Sequence, residues 1–224
     1  MAKQPIKKSN NSKLIIGGVV LAIVIAFVIA IVAGGSNDSG SSDTTKAPNS
    51  DGSVSVGENQ PVEVVGEALE ALSDSGDDST IGLTAPTLNG YAFDGSSLSV
   101  TPGDGQAYML VFLAHWCPHC NDEVPRLIEW FESGEVPAEL KVVGVSTAVA
   151  SDRPNYPPSQ WSVDKGWPWT IMADSEDMDA AEAYGVSGFP FFTIVGADGA
   201  VKVRASGELG TDRINQIVTA ALAS

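Results

Sequence analysis

Tyr108-Met109-Leu110-Val111-Phe112-Leu113-Ala114-His115-Trp116-Cys117-Pro118-His119-Cys120 is the stretch on which the reading of this chain turns. Tyr108 to Ala114 is a continuous apolar run, the pattern of a strand covered on both faces. A helix follows, with Val124, Leu127, Ile128 and Phe131 on one face. The Cys-x-x-Cys pair therefore sits where a buried strand passes into a helix. At that junction Cys117 lies beside unpaired backbone N–H groups at the positive end of the helix dipole, which favours a thiolate and makes Cys117 the nucleophile. Cys120, almost one turn further on, faces the same side and is the more deeply placed thiol. It resolves the mixed disulfide that Cys117 forms with a substrate.

Pro118 and His119 lie between the thiols and tune their acidity. An imidazolium at His119 stabilises the Cys117 thiolate by charge, and an imidazole N–H does so by hydrogen bonding. Either effect favours the dithiol and makes the disulfide a stronger oxidant. The competing reading of His119 is an exposed loop residue without an electronic role. His115 reads as exposed or structurally bonded. Only two cysteines occur in 224 residues. So short a loop constrains the unfolded chain little, so the pair is a poor staple. A c-type haem site needs His directly after the second cysteine, where Asn121 stands. Zinc usually draws ligand pairs from two segments, whereas every Cys and His here falls within 115–120. No metal or other cofactor is expected, although copper delivery by the thiol pair stays open as an alternative.

Upstream, Leu14 to Ala33 is a run of twenty residues without charge, long enough as a helix to span roughly 30 Å of bilayer core. Lys3, Lys7, Lys8 and Lys13 precede it and Asp38 and Asp43 follow. The positive-inside rule then puts residues 1–13 in the cytoplasm, 14–33 in the cell membrane as a single-pass anchor, and the rest outside. A cleaved signal peptide competes, but its apolar region is normally shorter, and Ile31-Val32-Ala33 is a mediocre cleavage site. Past residue 33 the chain holds 8 basic against 28 acidic residues. That balance argues against a nucleic-acid partner. Residues 34–80, rich in Ser, Gly, Asp and Thr, read as an acidic tether whose ends sit roughly 35–40 Å apart. Val64 to Leu72 interrupts it with helical spacing, as a short helix that either docks on the domain or forms transiently.

From residue 81 to 224 strands and helices alternate. Leu140 to Val145 and Thr170 to Ala173 read as strands, Met178 to Tyr184 as a helix. Phe191 to Val195 and Ala200 to Val203 form a hairpin about Asp198-Gly199. Ile214, Ile217, Val218, Ala221 and Leu222 share one face of a last helix. The fold class is α/β, a mixed sheet between helices. Thr147 to Trp167, with Pro154, Pro157 and Pro158, reads as an inserted loop and short helix.

Residues 81–224 resemble the thioredoxin superfamily, closest to its membrane-anchored TlpA/ResA-like thiol-disulfide oxidoreductases. Two motifs carry the likeness. Trp116-Cys117-x-x-Cys120-x-x-Glu123-x-Pro125 matches the active-site signature of that branch, with Pro125 where the helix kinks. About 70 residues later, Tyr184-Gly185-Val186-Ser187-Gly188-Phe189-Pro190 matches the second signature. The resemblance implies a cis bond before Pro190, a Pro190 that faces Cys117, and a Phe189 backbone that pairs with a substrate chain. It implies a redox disulfide Cys117–Cys120 and a substrate surface of Trp116, Phe189 and Pro190.

The chain departs from that branch at Pro118-His119, at Val111 and in the inserted segment Thr147 to Trp167. Pro118-His119 is similar to the dipeptide of bacterial disulfide-forming oxidases, whose large helical insertion is missing here. The buried acid that many thioredoxins place six residues before the first cysteine is replaced by Val111. Glu123 is the candidate substitute as proton relay. The expected function is thus extracytoplasmic disulfide exchange with protein thiol or disulfide substrates, served by an unidentified redox partner protein. His119 tilts the direction slightly toward oxidase or isomerase over reductase. The alternatives are a tethered copper-binding chaperone and a reductase for cytochrome c maturation. A peroxidase is weaker still, for want of the Pro and Thr frame of peroxide-reducing cysteines.

Overall fold

The computed structural model describes residues 56–73 and 77–224, all within the compact unit Pro48–Ser224. The anchor read at 14–33 and the first part of the tether lie outside the described residues. Among those described, no helix is long and apolar enough to cross a membrane.

The strands are β1 (Glu63–Val65), β2 (Thr87–Tyr91), β3 (Ser97–Val100), β4 (Ala107–Leu113), β5 (Leu140–Ser146), β6 (Thr170–Ala173), β7 (Phe191–Val195) and β8 (Val201–Ser206). The helices are α1 (Pro118–Glu132), α2 (Pro158–Lys165), α3 (Asp179–Ala183) and α4 (Gly210–Leu222). They build one mixed sheet in the order β1-β2-β6-β5-β4-β7-β8, with β3 paired to β2. β4, β5 and β6 run parallel; β7 is antiparallel to β4, and β8 is antiparallel to β7.

β4 explains this arrangement. All seven of its residues are buried, and successive side chains point to opposite faces. Met109, Val111 and Leu113 pack with Val124, Leu127 and Trp130 of α1 and Ile214, Ile217 and Val218 of α4. Tyr108, Leu110 and Phe112 pack on the other side with Ala180, Ala181, Ala183, Tyr184, Leu88 and Leu69. Each large apolar side chain buried this way contributes about 1.5–3 kcal/mol. A strand between two apolar layers has no polar alternation, so its sequence is a continuous run.

Several expectations change. The buried face of α1 turns on Cys120, Glu123, Val124, Leu127 and Trp130, while Phe131 is among the exposed hydrophobics. Trp130 donates its indole N–H to Asn215 of α4, and that partner draws Trp130 inward. The domain also begins before residue 81. Glu63–Val65 pairs with β2 as a strand, where helical spacing pointed to a helix over 64–72. Leu69 is buried, and its N–H bonds the Ala183 carbonyl at 2.9 Å. Arg204 of β8 clamps the same segment. Its guanidinium holds both Asp78 carboxylate oxygens, at 2.9 and 2.7 Å, and the Glu70 carbonyl at 2.7 Å. Gly185 has a φ of +63°, and a Cβ there would strike the Glu70 carbonyl. The glycine of the Tyr184-Gly185 motif therefore lets this strap lie against the domain. Strands of three to five residues are too short to show a period of their own, and β2 and β3 went unread for the same reason.

Candidate active site

Cys117 occupies the N-cap position of α1, and Pro118 stands in its first turn. Proline is tolerated there because the N–H it lacks would find no intrahelical acceptor. Cys117 is 6% exposed and Cys120 0%, and both are free thiols. Burial, first of all, pushes the Cys120 thiol far above its ordinary value, and the charges of Cys117 and Glu123 push the same way. The two thiols are thus unequal, Cys117 keeping a sliver of exposure and Cys120 none. Val111, in the place of the family acid, is buried in the same cluster as both cysteines.

The second motif meets the first here. The Phe189–Pro190 bond is cis, and Cys117 Sγ donates to the Phe189 carbonyl at 3.5 Å. Trp116 and Phe189 stand edge to face with centroids 6.3 Å apart. Trp116, Cys117, Phe189 and Pro190, some 70 residues apart in the chain, therefore form one surface.

The inserted segment 147–167 holds that surface from one side. Trp116 Nε1 donates to the Ala148 carbonyl at 2.7 Å, and the Arg153 guanidinium lies 5.2 Å over its ring. His115 is fully buried. Its Nε2 accepts the Ala150 N–H at 3.2 Å, so that nitrogen carries no proton. Its Nδ1, 2.8 Å from the Pro154 carbonyl, is then the donor. His115 is a bolt between β4 and the insertion, the structurally bonded reading of its two.

Pro125 sits inside α1 and has no N–H to offer the carbonyl of Asn121, four residues back. Lys165 of α2 takes that carbonyl instead, at 3.2 Å. The Asn121 side chain completes the joint: it accepts the Trp161 indole N–H at 3.0 Å and donates to the carbonyls of His115 and Cys117. The kink proline and the insertion are thus parts of one device.

A second wall comes from the loop between β8 and α4. Gly207 N–H donates to the Pro190 carbonyl at 2.8 Å. Glu208 accepts from His119 Nδ1 at 2.7 Å and from Arg126 at 2.5 Å. Arg126 also reaches Glu123 at 2.9 Å. Glu123 is fully buried, and its carboxylate accepts the N–H groups of Leu209 and Gly210 at 3.1 and 3.0 Å. It caps the N-terminus of α4, where the helix dipole favours an anion. No hydrogen bond joins Glu123 to Cys120 among the described residues, nor His119 to Cys117. The roles expected for these two side chains thus find no direct contact here.

Sequence reasoning missed Asn121, Glu208 and the strap. Nothing in the local pattern marks them. Among the described residues, no group of three or more His, Cys, Asp or Glu gathers as a metal site.

The profile of the AhpC/TSA family matches residues 81–204. The chain belongs to the AhpC/TSA family. A stretch of 50 residues is 44% identical to the soluble secreted antigen MPT53 of Mycobacterium tuberculosis, covering 22% of this chain and 26% of that protein. The chain therefore matches about a quarter of that relative's length. Among solved structures, a thiol:disulfide interchange protein of the thioredoxin family from Chlorobium tepidum TLS superimposes with a TM-score of 0.52 at 23% identity, over 65% of this chain and 99% of that one. StoA from Bacillus subtilis superimposes with a TM-score of 0.50 at 16% identity, over 59% and 96%. The fold of this AhpC/TSA member is thioredoxin-like, and the superfamily identification made from the two motifs holds.

Proposed function

We propose that this chain is a thiol-disulfide oxidoreductase that exchanges disulfides with protein substrates outside the cytoplasm. One observation carries the reading: a thiol with a sliver of exposure, Cys117, lies against the Phe189 carbonyl beside cis-Pro190, with a fully buried second thiol, Cys120, three residues along the same helix. An extended substrate chain gains backbone partners beside Phe189 while its sulfur meets Cys117.

In the oxidising direction a substrate thiolate attacks Sγ of Cys117 in the Cys117–Cys120 disulfide, and Cys120 leaves as a thiolate that takes up a proton. A second substrate thiolate then attacks the substrate sulfur of the mixed disulfide and expels Cys117. The substrate loses two electrons and two protons, and the pair gains them. The reducing direction is the same path backwards, with Cys117 attacking and Cys120 resolving. Either direction requires a redox partner protein to reset the pair. Pro118-His119 supports the oxidising or isomerising direction. The lysines before the apolar run 14–33 and the acids after it support an anchored domain facing outward.

A Cys120→Ser variant of the full chain, produced in its host, tests this. Without the resolving thiol, Cys117 accumulates covalent partners that dithiothreitol releases, and Cys117→Ser accumulates none. Absence of such adducts in Cys120→Ser overturns the reading.

A further inference from the structure

Glu208 bonds the side chain of His119, the residue between the two thiols, from a loop that also bonds Pro190. The carboxylate faces His119 Nδ1 on one oxygen and Arg126 on the other. Behind Arg126 lies the buried Glu123, held by the start of α4. The Gly207 N–H ties the same loop to the Pro190 carbonyl. Glu208 therefore has a fixed place, set by Pro190 on one side and α1 on the other. The His119 side chain is 67% exposed and that of Glu208 29%, so the ring is held by this one bond rather than by packing.

We infer that Glu208 is a positioning residue that weakens the oxidising power of the Cys117–Cys120 pair by holding His119 away from the Cys117 sulfur and cancelling its charge there. The inference rests on the disulfide-exchange reading of the site. Its physical basis is simple. A cation beside a thiolate stabilises the dithiol state and so makes the disulfide the stronger oxidant. A carboxylate 2.7 Å from the imidazole opposes that field at every nearby point. It also engages Nδ1, so that the nitrogen bound to Glu208 is unavailable to sulfur. The charged groups of this cluster are Glu208 from the loop and Arg126 and Glu123 from α1.

The test measures the dithiol-to-disulfide ratio of the full chain in glutathione buffers at a single pH, held the same for every variant. Glu208→Ala shifts the ratio toward the dithiol by about three- to tenfold, the size of a half to one unit of extra thiolate stability. Glu208→Gln shifts it less, because the amide oxygen still accepts from Nδ1. In a His119→Ala background the Glu208→Ala shift disappears, as coupling through His119 requires. An unchanged ratio in Glu208→Ala overturns the inference. So does a shift that persists without His119, because Arg126 or the bare carboxylate charge would then be its source. A wild-type chain that forms no disulfide in any glutathione buffer fails the exchange reading itself, a result distinct from both.

Discussion

Arg204 and Glu123 are both charged, both buried, and both bonded to segments far away in sequence, yet their surroundings are opposite. Arg204 sits at the closed end of its cluster. Its side chain is 1% exposed and Asp78 12%, and its donors are divided between the Asp78 carboxylate and the carbonyls of Glu70 and Tyr184. The Arg204 guanidinium, first of all, holds the Asp78 carboxyl down to about 2. Glu123 sits at the closed end of a cluster that opens outward through Arg126 and Glu208 to His119, which stands in solvent. A sealed pair is a latch, because it leads to no reactive group. A pair that leads to the surface beside a thiol is able to transmit charge to chemistry. The same residue types thus fasten the strap in one region and reach His119, between the two cysteines, in the other.

The largest expected effect breaks the latch. Arg204→Leu leaves Asp78 and two carbonyls without their partner and costs about 3–5 kcal/mol, read from urea unfolding. The glutathione ratio of the cysteine pair is expected to stay at the wild-type value. A shifted ratio would show that the two regions are not separate. The same latch has an acid limit. Asp78 has a folded-state value below its unfolded one, so its stabilisation is present above pH about 4 and is lost as pH falls toward about 2. Asp78→Asn removes that slope, and unfolding midpoints between pH 5 and pH 2 check it.

Next in size is Glu123→Ala. It orphans the N–H groups of Leu209 and Gly210 and one side of Arg126, at about 1–3 kcal/mol. It also removes a negative charge that opposes ionisation of Cys120. Both stability and the glutathione ratio should move, the ratio toward the dithiol. A loss of stability alone would make Glu123 a second latch. The smallest effect concerns Glu58, whose carboxylate accepts the Ser159 N–H at 2.9 Å and its hydroxyl at 2.6 Å at the start of α2. Glu58→Gln weakens this cap by about 0.3–1 kcal/mol. Faster amide exchange in the first turn of α2, with β4 and α1 unaffected, is the expected record.

Legibility followed the range of the interactions. β4, the hairpin of β7 and β8, and α4 were read within a residue or a few of their observed bounds, because each repeats its burial pattern over its own length. Cys117 and Cys120 were legible for a similar reason, since a strand-to-helix junction is a local event. His119 was legible as a residue but not in its contacts, because its partner is 89 positions away. The 64–72 segment misled, since apolar residues at helical spacing in a polar stretch also suit a short edge strand followed by a buried Leu69.

By itself the sequence determined the buried strand, the cysteine pair at the head of a helix, and the second motif that completes the family signature. Periodicity and spacing act between neighbours along the chain, and these features need nothing more. The tertiary structure alone decided that Lys165 takes the carbonyl released by Pro125, that His115 is a buried bolt rather than an exposed side chain, that the strap joins the domain, and that Glu208 bonds His119. In each of these a polar group must find its partner across tens of residues. Which partner it finds depends on how the packed layers bring the loops together.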